Sequence, residues 1–473
     1  MQKINNSVSI YRFSICIVFG IIIALIGPYT DAPIQGWYVF SVFISVILSF
    51  ILKALPMGMA VITGLFVLSI TKVIEFKEAL SSYSDSTVWL VLAAFLIANG
   101  VISSGLGKRI SLQLIYWFGK NVFGIAYAIC LTELILAPVV PSNTARGGGI
   151  LAPIVDSLSK SFDSSPQKNP HKIGSYLTLL GAHANLITSA MFLTAMAANP
   201  IIAEGIKDIL GINFDWLTWA KGAFVPGIIG LCLLPFFIYL INKPTISLKV
   251  NSKKIIVKEI KKIGIRPNSI EKIMFLILLL IFSLWTSKAI HGIGTSEVAW
   301  IGVLAMLVFK VQSWEDIIKN YKAWDTFIWL GGLLTISILM AQYGIIDWFV
   351  REIKVFTFDF KATSSLIIIS LIYFYSMYLF SMLTAHISAF ALPLMALALF
   401  LKCDPILIGA ILAYFSCLCG CLTNYSTGPV IVYFGLGYVS NNKWYKTGIL
   451  MSVYHIIIWL GIGMVWWKFI GWW

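Results

Sequence analysis

Apolar stretches of membrane-crossing length recur from Ser14 to the C-terminus, and this recurrence constrains the fold more than any single motif. A helix needs roughly 17–25 predominantly apolar residues to cross the hydrocarbon core. In lipid every backbone polar group must be paired internally, so each such stretch is expected to be helical. Spans are expected near 14–28, 37–54, 57–74, 88–105, 174–198 and 219–242, then near 273–289, 297–313, 326–344, 404–422 and 448–468. Of the 473 residues, 59% are hydrophobic and only 11% charged, too few charges to coat a soluble protein of this length. The chain therefore reads as an all-α polytopic membrane protein of about eleven transmembrane helices. Its first apolar run is followed by further spans and lacks a small-residue cleavage site, so it reads as an anchor.

The net charge of +14 does not call for nucleic acid, because Lys and Arg accumulate in the cytoplasmic loops of membrane proteins. The segment 243–272 carries Lys243, Lys249, Lys253, Lys254, Lys258, Lys261, Lys262, Arg266 and Lys272 against Glu259 and Glu271, and is expected on the cytoplasmic side. Counting spans from there puts Lys3, Arg12, Lys108, Arg109, Lys160, Lys168, Lys172, Lys443 and Lys446 on that side too. The N-terminus is then cytoplasmic and the C-terminus lies on the opposite side. Seven cysteines sit almost entirely in apolar runs and imply no disulfide framework. Cys417-Leu-Cys419-Gly-Cys421 lacks the C-x2-C spacing of zinc sites and reads as small, polarizable packing residues. No metal or cofactor is expected.

Two segments break the pattern of simple spans, 121–158 and 363–401. In the first, Pro138-Val-Val-Pro-Ser142-Asn143-Thr144-Ala145-Arg146-Gly147-Gly148-Gly149 interrupts two apolar runs. Non-helical backbone at membrane depth is tolerated only inside protein or beside a water-filled cavity. An arginine there marks a candidate functional site. The expectation is a re-entrant hairpin with a polar tip; a surface loop between two spans is the alternative.

The two breaks are related by an internal repeat. Asp85-Ser-Thr-Val-Trp89-Leu90 recurs as Asp325-Thr-Phe-Ile-Trp329-Leu330, and the same offset carries Thr144-Ala145-Arg146 onto Thr384-Ala385-His386. Thr194 through Pro200 and Thr423 through Pro429 share a Thr-x5-Pro frame. The expected organisation is a first repeat, 1–242, containing the 121–158 hairpin; a basic linker, 243–272; and a second repeat, 273–473, containing the 363–401 hairpin. The charge frame puts the hairpins on opposite sides, as inverted repeats require. Inverted repeats with broken helices belong to secondary transporters. Half-helices starting near Arg146 and near His386 would direct positive dipole ends at one anion site.

Thr144 and Thr384 supply hydroxyls at this expected site, with helix capping as the alternative. Arg146 and His386 are its candidate cations, His386 being readable instead as a neutral packing residue. Glu133 reads as the structural partner of a nearby base, with a proton relay as the alternative. His183, Asn185 and Thr188 follow the first hairpin and line the site or bond neighbouring helices. Thr423, Asn424, Ser426 and Thr427 interrupt the second half and are expected at the cavity.

These residues resemble the divalent-anion/sodium symporter family over nearly the whole chain. The resemblance is carried by Ala137-Pro-Val-Val-Pro-Ser-Asn-Thr-Ala-Arg146, by Ile187 through Pro200, and by Thr423 through Tyr438. It is closer to the branch of citrate/succinate and tartrate/succinate exchangers and the chloroplast 2-oxoglutarate/malate translocator. The resemblance implies an eleven-span homodimer working as an elevator in a bacterial inner membrane or plastid envelope, with Ser142, Asn143 and Thr144 as a carboxylate-binding tip. The second Ser-Asn-Thr of sodium-coupled members would fall on Met382, Leu383 and Thr384, where only the threonine is kept. Sodium-independent exchange of dicarboxylates such as 2-oxoglutarate, malate or succinate is therefore expected, with sodium-coupled symport as the alternative. A membrane enzyme is disfavoured, because no nucleophile–base, paired-carboxylate or metal-ligand constellation appears.

Overall fold

The computed structural model describes residues 10–249, 252–345, 348, 351–352, 361–380 and 382–473. Lys3, in the charge frame above, and Ser381, inside the second hairpin segment, lie outside the described residues. The described chain is helical throughout, as its apolar runs require. In order come α1 (Ile10–Ile26), α2 (Ile34–Leu52), α3 (Met57–Ile70), α4 (Ser86–Ser104), α5 (Leu106–Phe118) and α6 (Val122–Leu136). A π-helical segment, Thr144–Leu151, continues into α7 (Ala152–Ser161). Then follow α8 (Gly174–Met191), α9 (Asn199–Leu210), α10 (Trp216–Ile241), α11 (Lys253–Ile263), α12 (Ser269–Thr286), α13 (Thr295–Val308) and α14 (Tyr321–Gln342). The last part holds α15 (Ala362–Tyr375), α16 (Leu383–Phe400), α17 (Pro405–Leu418), α18 (Gly428–Gly435) and α19 (Asn441–Phe469).

Ten helices among the described residues are long and apolar enough to cross a membrane. They include both arms of the 363–401 hairpin, Ala362–Leu379 and Leu383–Phe400. The spans expected near 57–74 and 297–313 are shorter, with 14 helical residues each. Four of the described helices lie outside the expected spans and hairpins, α5, α9, α11 and α18. The first three are amphipathic and interrupted by charged residues, so they give no run of spanning hydropathy, and α18 is only eight residues long.

The helix ends follow local chemistry. Asn121 and Asp215 accept hydrogen bonds from the first-turn amides of α6 and α10. Asn268 and Glu271 form a reciprocal capping box at the start of α12. The two Thr-x5-Pro frames both fall where a helix is broken. α8 ends at Met191 and the chain restarts at Asn199; α17 ends at Leu418 and the chain restarts at Gly428. Each restarted helix has proline at its second residue, where a missing N–H costs nothing because first-turn amides have no intrahelical acceptor.

The chain forms two compact units, and these are not the sequence halves. One comprises Met1–Leu92, Pro200–Asn213 and Tyr321–Leu412; the other comprises Ala93–Asn199, Phe214–Asn320 and Ala413–Trp473. In the first unit α14 packs on α2 and α3, and Tyr83 donates its hydroxyl to the Ile328 carbonyl (2.7 Å). The second unit is organised around α8, every residue of which is buried. α6, α10 and α18 pack around it. Its polar residues His183, Asn185, Thr188 and Ser189 therefore face protein and not lipid.

Candidate functional site

Within the second unit, two backbone breaks meet. Pro138 and Pro141 cannot continue α6, so the chain turns over 137–143 and restarts as a helix at Thr144. The Ser142 hydroxyl accepts from the Ala145 amide (3.1 Å), and its carbonyl accepts from the Arg146 amide (3.0 Å). The opposing break runs through Thr423 to the extended residue Thr427, after which α18 starts. Asn143 donates Nδ2 to Thr427 Oγ1 at 3.1 Å.

The approach is close enough to exclude side chains. A Cβ on Gly428 would lie 2.0 Å from Thr144 Oγ1. One on Gly147 would lie 2.7 Å from Asn185 Nδ2 and 3.1 Å from the Pro429 Cβ. Glycine at both positions lets two helix N-termini lie side by side. Each carries roughly half a positive charge, although the Ala145 and Arg146 amides are already bonded to Ser142 and Pro429 has no N–H. Ser142, Thr144 and Asn424 are partly exposed around this junction, and Thr427 is at its edge.

Arg146 lies behind the junction, fully buried. Its Nε donates to Glu133 Oε2 at 2.5 Å. Nη1 donates to the carbonyls of Val140 (2.8 Å) and Ala195 (3.2 Å), and Nη2 to the hydroxyls of Thr188 (3.3 Å) and Ser189 (3.0 Å). A guanidinium has five N–H donors, and all five are engaged. The free, anion-facing guanidinium expected for Arg146 is therefore not found. The residue is instead a knot joining α6, the tip, α8 and the break that follows α8.

Glu133 fills the structural role expected of it. Besides Arg146 it accepts from Asn185 Nδ2 (3.1 Å to each oxygen) and from Thr188 Oγ1 (3.3 Å). Asn185 Nδ2 also donates to the Asn143 carbonyl at 3.1 Å, which links the ion pair to the tip. Asn185 and Thr188 thus belong to the scaffold of the tip. His183 takes no part in that network, and its Nδ1 has no protein partner.

The second break is held by its own residues. Ser426 donates to the Gly420 carbonyl (2.6 Å), Asn424 donates to Asn441 Oδ1 (2.8 Å), and the Thr423 carbonyl accepts from Trp444 Nε1 (3.2 Å). Three further residues shape the junction without having been expected there. Ser189 binds Arg146. Thr194 donates to the Pro138 carbonyl (2.7 Å), and Asn199 donates to the carbonyls of Ser189 (2.9 Å) and Phe192 (3.1 Å). The Thr-x5-Pro frame, which contains Thr194 and Asn199, was the available signal. Cys417 points its thiol at Asn199 Oδ1 (3.2 Å), a packing contact.

The second hairpin falls in the first unit, so Thr384 and His386 are described by themselves. Thr384 is half-buried near the start of α16. His386 is fully buried, with Nε2 at 2.8 Å from Ser376 Oγ and 3.0 Å from the Tyr373 carbonyl. Its ring packs on Tyr373 and Phe380, with centroids 4.5 and 5.3 Å away. The expectation of a second cation reaching for substrate is not met; His386 fastens the two arms of its own hairpin together.

A family model described as the sodium:sulfate symporter transmembrane region matches residues 7–473. The chain belongs to this family. Its relatives include the putative malate transporter YflS of Bacillus subtilis, 38% identical over 470 residues, covering 99% of this chain and 98% of that protein. The chloroplastic dicarboxylate transporter 1 of Arabidopsis thaliana is 35% identical over 442 residues, covering 93% of this chain and 79% of that one. The inner membrane protein YbhI of Escherichia coli is 32% identical over 479 residues and covers 99% of both. Among solved structures, the Alcanivorax borkumensis YdaH transporter aligns with a TM-score of 0.54 at 14% identity, over 87% of this chain and 89% of that one. At that identity the likeness concerns the fold alone. As a member of the sodium:sulfate symporter family the chain is a multi-pass membrane transporter and not an enzyme.

Proposed function

We propose that this transporter carries dicarboxylates such as malate, 2-oxoglutarate or succinate, and that it works by exchange. The observation that carries this reading is the junction of two helix N-termini at Thr144 and Gly428, in a chain whose relatives are named malate and dicarboxylate transporters. The positive ends of the two helices and the hydroxyls of Ser142, Thr144 and Thr427 suit a carboxylate oxygen. Ser142, Asn143, Thr144, Thr427 and Asn424 are the proposed contact residues. Arg146, Glu133, Asn185 and Thr188 are proposed to position the tip.

Arg146 is neutralised by Glu133, so it cannot hold an empty carrier back by uncompensated charge. Exchange rests on the second hairpin, where Met382 and Leu383 stand at the positions to which the family resemblance assigns the serine and asparagine of sodium-coupled members. The resemblance to that branch also supports an elevator-type homodimer. A second reading, sodium-coupled symport, is favoured by one observation. Two N-termini supply roughly one positive charge between them, which leaves about one negative charge of a dianion unbalanced. Labelled malate uptake into proteoliposomes separates the readings. Exchange requires uptake into vesicles preloaded with dicarboxylate, with little into empty ones and no dependence on sodium. Rapid sodium-dependent uptake into empty vesicles would establish symport.

A further inference from the structure

We propose that α11 and the turn that follows it form a docking surface for anionic phospholipid. The helix is fixed to the protein at both ends, within the second unit. At its start the Ser252 amide (3.1 Å) and hydroxyl (2.8 Å) both donate to the Gly119 carbonyl at the end of α5. Lys253 lies 5.3 Å over the Tyr116 ring. At its end Arg109 donates to the carbonyls of Ile263 (3.2 Å) and Gly264 (3.0 Å), and to Glu271 at 2.8 Å. Ile256 is buried against the body of the protein.

This anchoring leaves the cationic side outward. Lys258, Lys261, Lys262 and Arg266 are exposed, and of these Lys262 pairs with Glu259 (2.5 Å). Beside them stand large apolar side chains with little cover: Ile265 is 72% exposed, and Trp117, Phe118 and Leu248 are also exposed. Leu248 sits at the same corner as Phe118, since its carbonyl accepts from the Val122 amide (3.2 Å). A soluble basic helix would hide such residues. Cations alternating with bare aliphatic and aromatic groups suit the headgroup layer, where apolar side chains enter the acyl boundary and lysines meet phosphate. The charge selects the anionic class, and each cation near such a surface is worth about fivefold in binding.

The test uses full-length protein in detergent, titrated with phosphatidylglycerol or phosphatidylcholine and read by native mass spectrometry. Phosphatidylglycerol should bind at least a hundredfold more tightly, with the preference shrinking as salt rises. The variant Lys258→Gln/Lys261→Gln/Arg266→Gln should lose about a hundredfold of that affinity, at unchanged phosphatidylcholine binding, elution volume and thermal stability. If the triple variant fails to fold, Lys258→Gln alone should lose about fivefold. Equal binding of the two lipids, undiminished phosphatidylglycerol binding by the folded variants, or equally tight binding of soluble glycerol phosphate would overturn the proposal.

Discussion

Arg146 commits every N–H donor it has to the protein interior, and that fact reshapes how its loss should be read. A buried ion pair is costly to break because the remaining charge has no partner, typically about 3–5 kcal/mol. Removing both charges together is far milder when the volume is kept. Arg146→Ala and Glu133→Ala should therefore each lower thermal stability sharply in detergent, and Glu133→Leu/Arg146→Met should recover part of the loss. Arg146→Lys should also destabilise, since a single ammonium cannot reach Glu133, two carbonyls and two hydroxyls at once. The measurement is the melting temperature of the purified variants. Full stability in Arg146→Ala together with abolished malate uptake would return Arg146 to the role of substrate ligand.

The elements that place the site are helices that stop and restart. His386 belongs to such an element, joining α15 to α16 through Ser376 and the Tyr373 carbonyl. Each net hydrogen bond contributes about 0.5–1.5 kcal/mol. His386→Gln should thus lower the melting temperature by a few degrees while leaving the KM for dicarboxylate unchanged. A raised KM at unaltered stability would make His386 part of the binding surface. Much of this was legible in the sequence, because prolines and glycines act locally. Pro138 and Pro141 mark the first tip, and the Thr-x5-Pro frames mark two helix restarts. Partners were not legible. Glu133 meets Arg146 only because the chain folds back at the prolines, and no spacing along one helix announces that contact. α5 escaped notice because Lys108 and Arg109 interrupt its hydropathy, although Arg109 is turned inward to Glu271.

Over the whole molecule, the two compact units cut across the sequence repeat, each drawing segments from both sides of the basic linker. A repeat visible as matched motifs specifies which local shapes recur; it does not specify which segments pack together. The proposed anion site sits at one junction inside the second unit, where α18 meets the first hairpin. Its contacts are short side chains and helix ends, behind which Glu133 and Arg146 cancel. The most direct test is the concentration dependence of labelled malate exchange by proteoliposomes carrying wild-type protein, Ser142→Ala or Thr144→Val. Losing one hydrogen bond to a charged group costs about 1.5–3 kcal/mol, so KM should rise about tenfold or more in each variant; Thr144→Val should keep its melting temperature, and Ser142→Ala should melt lower because the Ala145 amide loses its acceptor. An unchanged KM in both would place the substrate somewhere other than the Thr144–Gly428 junction.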